Sequence, residues 1–237
     1  MKKTYLLLFI FIQSFLFAQK IDKDNPFFTI RGNIGIPRTT GSQMFRQSFT
    51  GIYEANLALV IRPFEHFILG VGYSNALFKN QKTFLLVRTN VGSLSYNTQI
   101  IENGGFVKMG YDQFVTENVY MNYSINSGIL VCEYKNIELD TNLANRPYGA
   151  TKFSAPFVQP ELSVNFMGGE EQKLSFSLSL SYTTYFYKFD PKAPRFNHLD
   201  SPDIHSKRNN YFMNWINIGL GFNILIRTKK KGGSSGS

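Results

Sequence analysis

The sequence predicts an all-β chain, a transmembrane antiparallel up-and-down β-barrel of eight strands, with ten strands as the alternative. Three observations predict it: an export signal, long charge-free stretches that alternate with period two, and no apolar run long enough for a membrane-spanning helix. The chain has 237 residues, of which 43% are apolar, 16% aromatic and 17% charged. Soluble domains carry about 25% charged residues, so this chain has less charge than water normally demands. The same balance excludes intrinsic disorder, a coiled coil and a disulfide scaffold. Its single cysteine, Cys132, cannot close an internal disulfide, and it reads as an inert thiol on a strand.

The first element is the signal. Lys2 and Lys3 precede the apolar run Tyr5–Ile12, and Phe15-Leu16-Phe17-Ala18 ends at Gln19. This order of charged, apolar and small residues reads as a secretory signal over 1–18. The barrel is expected over 19–231, with 232–237 (GGSSGS) read as an appended flexible linker. After the signal, apolar runs such as Leu57–Ile61 fall far short of the ~20 residues a spanning helix requires. Formal charge is +9, or +7 without Lys2 and Lys3.

Alternation carries the strands. In Phe28–Ile36 the even positions Phe28, Ile30, Ile34 and Ile36 are apolar, while Thr29, Arg31, Asn33 and Gly35 are polar or small. In Leu174–Tyr182 four serines alternate with Leu174, Phe176, Leu178, Leu180 and Tyr182. The last strand repeats this, with Ile216, Ile218, Leu220, Phe222, Ile224 and Ile226 against Asn217, Gly219, Gly221 and Asn223. A soluble barrel would place Lys, Glu and Thr on its outer face. Small Ser, Gly and Asn instead suit a narrow lumen, with the aliphatic row facing lipid. The expected location is the bacterial outer membrane.

Turn lengths orient the barrel, since periplasmic turns are short and extracellular loops long. The short segments 62–66 and 168–172 are assigned to the periplasmic side, and the polar segments 37–48, 138–152 and 190–210 to the outside. The stretch 79–137 is the ambiguous part. Residues 83–101 read as either a strand or an ordered loop, and Glu102-Asn103-Gly104-Gly105 and Thr116-Glu117-Asn118 both read as turns. Pro156 and Pro160 predict a bulge or a late start in the strand over 153–167, because proline donates no ladder hydrogen bond. Phe27, Phe28, Phe64 and Phe67 are expected at the periplasmic interface. Phe49, Tyr53, Tyr185, Phe186, Tyr187, Tyr211 and Phe212 are expected at the outer one.

The Phe17-Ala18-Gln19 signal end, the Arg62-Pro63-Phe64 turn and Leu69-Gly70-Val71-Gly72-Tyr73 resemble small outer-membrane barrels of the OmpA or OmpX kind, of Bacteroidota type. The resemblance implies an architecture rather than an activity, and it matches no specific family.

Function is less legible. Arg31, Glu54, Arg62 and Glu161 alternate inward and are expected to form a lumen charge network. Eight strands leave room for side chains but no aqueous channel. His66 reads as a turn residue. His198 and His205, in Asn197-His198-Leu199-Asp200-Ser201-Pro202-Asp203-Ile204-His205-Ser206, are the one cluster that invites a hydrolase dyad or a metal site. Such loops are usually solvated, so the expectation is no catalytic residue, no metal ligand and no cofactor. The candidate contact residues are Arg38, Arg46, Lys192, Arg195, His198, His205, Lys207 and Arg208. The expected partners are membrane lipid, the phosphates of lipopolysaccharide, and other outer-membrane or periplasmic proteins; nucleic acid is not expected. The favoured reading is a non-enzymatic accessory or anchoring subunit of a larger outer-membrane complex for secretion, gliding, assembly or uptake. The alternatives are a stand-alone adhesin or lipopolysaccharide-binding barrel, and a lipid-modifying enzyme.

Overall fold

The computed structural model describes residues 28–81, 84–89, 92–96, 98–136, 152–168, 173–189 and 212–226. In chain order the elements are β1 (Phe28–Gly41), the short helix α1 (Gln43–Ser48), β2 (Phe49–Ile61), β3 (Phe67–Asn80), β4 (Phe84–Thr89), β5 (Gly92–Tyr96), β6 (Thr98–Phe114), β7 (Val119–Asn136), β8 (Lys152–Gly168), β9 (Leu174–Lys188) and β10 (Phe212–Ile226). Eight of the strands close one antiparallel barrel in the order β1-β10-β9-β8-β7-β6-β3-β2, while β4 and β5 pair with each other outside it. Closure is made by β1 on β10, from Phe28 opposite Ile226 to Gly41 opposite Met213. No sheet edge is left in lipid, where an unpaired backbone group could find no water.

The ambiguous stretch resolves into the β4–β5 hairpin, which is not part of the barrel sheet, and two long barrel strands, β6 and β7. Residues 102–105 are no turn: Glu102 pairs with Ala76 of β3 and Cys132 of β7 in unbroken ladders. The glycine that suggested a turn is there for packing. A Cβ on Gly104 would come within 2.0 Å of the Ile129 carbonyl oxygen, so only glycine lets β6 and β7 approach here. Thr116-Glu117-Asn118 does lie in the connection between β6 and β7.

Two residues expected in the outer aromatic girdle are instead inside the barrel, where Phe49 and Tyr185 are both fully buried. Tyr185 simply continues the inward row of Ser175 to Thr183 on β9. Phe49 is turned in by a register shift between Gly51 and Tyr53, which moves the inward row of β2 from even to odd positions. Of the other girdle aromatics, Phe28, Phe67, Tyr53 and Tyr187 are half-buried, and Phe64, Phe186 and Phe212 are exposed. Phe27 and Tyr211 lie outside the described residues, as do the signal segment 1–18 and the linker 232–237.

The prolines of β8 leave their mark on one side only. Pairing with β7 runs without a gap through Pro156 and Pro160, whereas the ladder with β9 begins at Phe157 and lapses at Gln159 and Pro160. Residues four apart on a strand direct their amides to the same neighbour, so both missing donors fall on the β9 side.

At the outer mouth the chain folds back into the barrel. Gly41 adopts φ +74°, a left-handed conformation that glycine takes without strain, and this sends α1 inward. Met44 and Phe45 of α1 are buried beneath the rim.

Candidate functional site

The lumen is filled in layers, each built by inward positions of the alternating strands. Nearest the periplasm, Asp112 of β6 receives two guanidiniums. Arg31 Nη2 donates to Asp112 Oδ2 at 2.7 Å and Arg62 Nη2 to the same oxygen at 2.5 Å, while Asn122 Nδ2 donates to Oδ1 at 2.7 Å. The Arg62 guanidinium also lies 5.7 Å above the Phe114 ring. Beside this layer, Asn223 Nδ2 donates to Asn165 Oδ1 and to Ser175 Oγ, both at 2.8 Å.

At mid-height, Lys108 Nζ meets Glu161 Oε2 at 2.9 Å. Asn126 Nδ2 bridges that carboxylate to Gln159 Oε1, at 3.1 and 2.8 Å. Gln159 Nε2 then donates to Glu54 Oε1 at 2.5 Å, Asn56 Nδ2 donates to the same oxygen at 3.0 Å, and Trp215 Nε1 donates to Glu54 Oε2 at 2.6 Å. Above Trp215 the layer becomes aromatic. Its ring packs edge-on against Phe78 at 5.3 Å, and Phe45 of α1 contacts Phe49, Phe78 and Phe189 at 5.5–6.0 Å.

All four residues expected to line the lumen turn inward, but they do not pair with one another. Arg31 and Arg62 share Asp112, Glu161 takes Lys108, and Glu54 is held by neutral donors. Asp112 and Lys108 are absent from the expected network because a turn at 102–105 would break β6. Extending even-position parity from Phe106 through Lys108 and Gly110 to Asp112 would have found both. The described lumen carries three bases, Arg31, Arg62 and Lys108, and four acids, Glu54, Glu102, Asp112 and Glu161, and its ion pairs join Asp112 to both arginines and Glu161 to Lys108. A cavity among Arg31, Lys108, Asn126, Glu161 and Asn223 measures about 20 Å³. That is room for about one water molecule.

The outer surface is organised as two kinds of wall. On β9 and β10, Leu174, Phe176, Leu178, Leu180 and Ile216 through Ile226 at even positions all point out and are exposed. On β3 and β6 the outward row contains polar and small residues: Tyr73, Asn75, Asn103 and Gly105. At the outer end, Arg38, Arg46, Lys79, Lys135, Lys152 and Lys188 are exposed, and Lys152 sits 3.6 Å from Glu133. Lys192, Arg195, His198, His205, Lys207 and Arg208 lie outside the described residues. Among the described residues, no three His, Cys, Asp or Glu side chains gather as a metal site would require. His66 is in the β2–β3 turn, its ring 5.2 Å from that of Tyr111.

No family model and no curated protein matches this chain. Among solved structures, Neisserial surface protein A is similar with a TM-score of 0.51 and 10% identity, over 84% of this chain and 97% of that one. OprG, an outer membrane protein from Pseudomonas aeruginosa, gives 0.41 at 10% identity over 85% and 97%. A major outer membrane protein from Thermus thermophilus gives 0.42 at 14% over 83% and 97%. The first likeness speaks for the architecture alone. Together with a polar, packed interior and an apolar exterior, it makes this chain a bacterial outer-membrane β-barrel of the small eight-stranded kind.

Proposed function

We propose that this barrel is a non-enzymatic accessory or anchoring subunit of a larger outer-membrane complex. The observation that carries the reading is the filled lumen. With a cavity of about 20 Å³ among its charged layers and an aromatic layer above them, the interior formed by the described residues is packed with side chains. Whatever the protein does therefore falls to its outer wall and its outer end. The test is purification from native outer membranes in mild detergent, followed by mass measurement and identification of stoichiometric companions. A stable neighbour is expected, since specific interfaces bury ~1,200–2,000 Å² and survive such extraction. A monodisperse monomer overturns the reading.

A second reading is favoured by one observation, the exposed bases at the outer strand ends. In the ladder, Lys79 of β3 and Lys135 of β7 both oppose Gln99 of β6, so two cations flank one outward amide. Such spacing suits phosphate groups of lipopolysaccharide, contacted by charge-assisted hydrogen bonds. On this reading the protein is a stand-alone surface barrel, and replacing Lys79 and Lys135 by Gln lowers the lipopolysaccharide retained on purification without changing any protein companion.

A further inference from the structure

The polar side chains of the lumen fall into two hydrogen-bonded groups. One gathers Arg31, Arg62 and Asn122 on Asp112. The other runs from Lys108 and Glu161 through Asn126 and Gln159 to Glu54, which Asn56 and Trp215 also hold. The cavity of about 20 Å³ is lined by members of both, Arg31 from the first and Asn56, Lys108, Asn126 and Glu161 from the second.

Three of those residues carry a buried polar atom that no group among the described residues satisfies: Arg31 Nε, Asn56 Oδ1 and Asn126 Oδ1. The residues themselves are 8%, 9% and 0% exposed. Their neighbours fix which atom is left over. Asn126 Nδ2 donates to the Glu161 carboxylate and Asn56 Nδ2 to the Glu54 carboxylate, so in each amide the oxygen is the free end. Arg31 Nη2 is spent on Asp112, which leaves the single N–H of Nε. Asn33 also lines the cavity and has an unsatisfied oxygen, but a Cβ on Gly219 would come within 2.7 Å of it, so that oxygen faces the β10 backbone.

The lining selects its occupant. A cation would lie against the Arg31 guanidinium and the Lys108 ammonium. An anion would lie against two amide oxygens and the Glu161 carboxylate. A water molecule accepts from one N–H and donates to two carbonyl oxygens, which is the set these residues present. Buried waters make roughly 2–4 such bonds, and a cavity of this size holds about one.

We propose that this cavity binds one structural water molecule, which accepts from Arg31 Nε, donates to Asn56 Oδ1 and Asn126 Oδ1, and joins the two polar groups of the lumen. Hydrogen bonds then run without a break from Asp112 near the periplasm to Trp215 beneath the aromatic layer. Water that bridges two protein groups is enthalpically close to a direct hydrogen bond, so it belongs to the packing that fills the barrel. The site is independent of any protein neighbour on the outer wall.

Ala58 supplies the test. It lines the cavity, stands directly opposite Arg31 in the β1–β2 ladder and is 4% exposed. The full chain is reconstituted in lipid nanodiscs as wild type, Ala58→Val and Ala58→Ser. Two quantities are read: nuclear Overhauser cross-peaks from a long-lived water to the Arg31 Nε proton and the Asn126 side-chain amide protons, and the denaturant unfolding equilibrium. The wild type is expected to show both cross-peaks. Valine fills the cavity with methyl groups, so the cross-peaks are lost and the polar atoms stay unsatisfied, shifting the equilibrium toward the unfolded chain by about tenfold. Serine places a hydroxyl in the same space, so the cross-peaks are lost while the equilibrium moves less than about threefold. A wild type without the cross-peaks overturns the proposal. So does a gain in stability from valine with a loss from serine, the pattern of a dry cavity being filled. Serine losing as much as valine overturns it as well, because the hydroxyl then finds nothing to satisfy. Should Ala58→Val fail to assemble, the wild-type cross-peaks and the serine equilibrium decide. A wild-type equilibrium that depends on which alkali or halide ion is present at fixed ionic strength identifies an ion in the cavity and overturns the water.

Discussion

Inside and outside are separated by one residue on every strand of this barrel, and the two faces obey different rules. On β9, Leu178 faces lipid while Ser177 and Ser179 line the lumen. The outer face is held by a solvent preference that almost any aliphatic side chain satisfies. The inner face is held by particular partners: Asp112 has two arginines and an amide, and Glu54 has three neutral donors. Outer positions should therefore be sensitive to polarity and indifferent to shape. Inner positions should be sensitive to the loss of a specific neighbour.

The largest expected effect is on the inside. Asp112→Ala leaves Arg31 and Arg62 side by side in a buried layer without their counter-ion, a loss of about 3–5 kcal/mol. Denaturant unfolding of the lipid-reconstituted barrel measures it, and replacing Arg31 and Arg62 by Met in the same chain should recover much of the loss. Recovery is the informative arm, because it separates an orphaned charge from a missing contact.

On the outside, Leu178→Arg or Leu220→Arg should cost ~2–4 kcal/mol near mid-depth, whereas Leu178→Ile should be nearly silent. A comparable penalty for the isoleucine variant, in the same unfolding assay, would break the distinction between faces.

Trp215→Phe sharpens the inner rule at lower amplitude. The ring contact with Phe78 is retained in kind, but Glu54 loses the donor on Oε2. An unmade buried hydrogen bond costs ~1–3 kcal/mol, and Trp215→Phe combined with Glu54→Gln should cost less than the two changes added together.

The smallest expected effect is none at all. In planar bilayers the wild-type barrel should show no stable porin-sized openings, and Phe45→Ala should not create them, because the Lys108–Glu161 layer lies below the aromatic one. Steady large conductance from either protein would contradict the plugged lumen.

Much of the architecture was legible because a barrel wall writes its two solvents into alternate residues. The serines of β9, the glycines and asparagines of β10 and the inward Arg31, Glu54, Arg62 and Glu161 all follow from period two alone. Parity is local, however, and it fails wherever a strand slips. The shift between Gly51 and Tyr53 reverses β2 above it and sends Phe49 inside, and no residue near it announces this in the sequence. Gly104 looked like a turn because the sequence cannot say that β7 lies 2.0 Å from where its Cβ would be.

What the sequence determined by itself was which residues face inward over most of the wall, and the membrane that the outward ones require. That information is carried residue by residue, since hydrophobicity needs no partner. Only the tertiary structure decided that Arg31 and Arg62 converge on Asp112, 81 and 50 positions away, that β4 and β5 leave the barrel at eight strands, and that Asn75 and Asn103 share one outward patch. Pairing depends on register and closure, which bring distant positions to one level and exist only once the whole sheet has joined end to end.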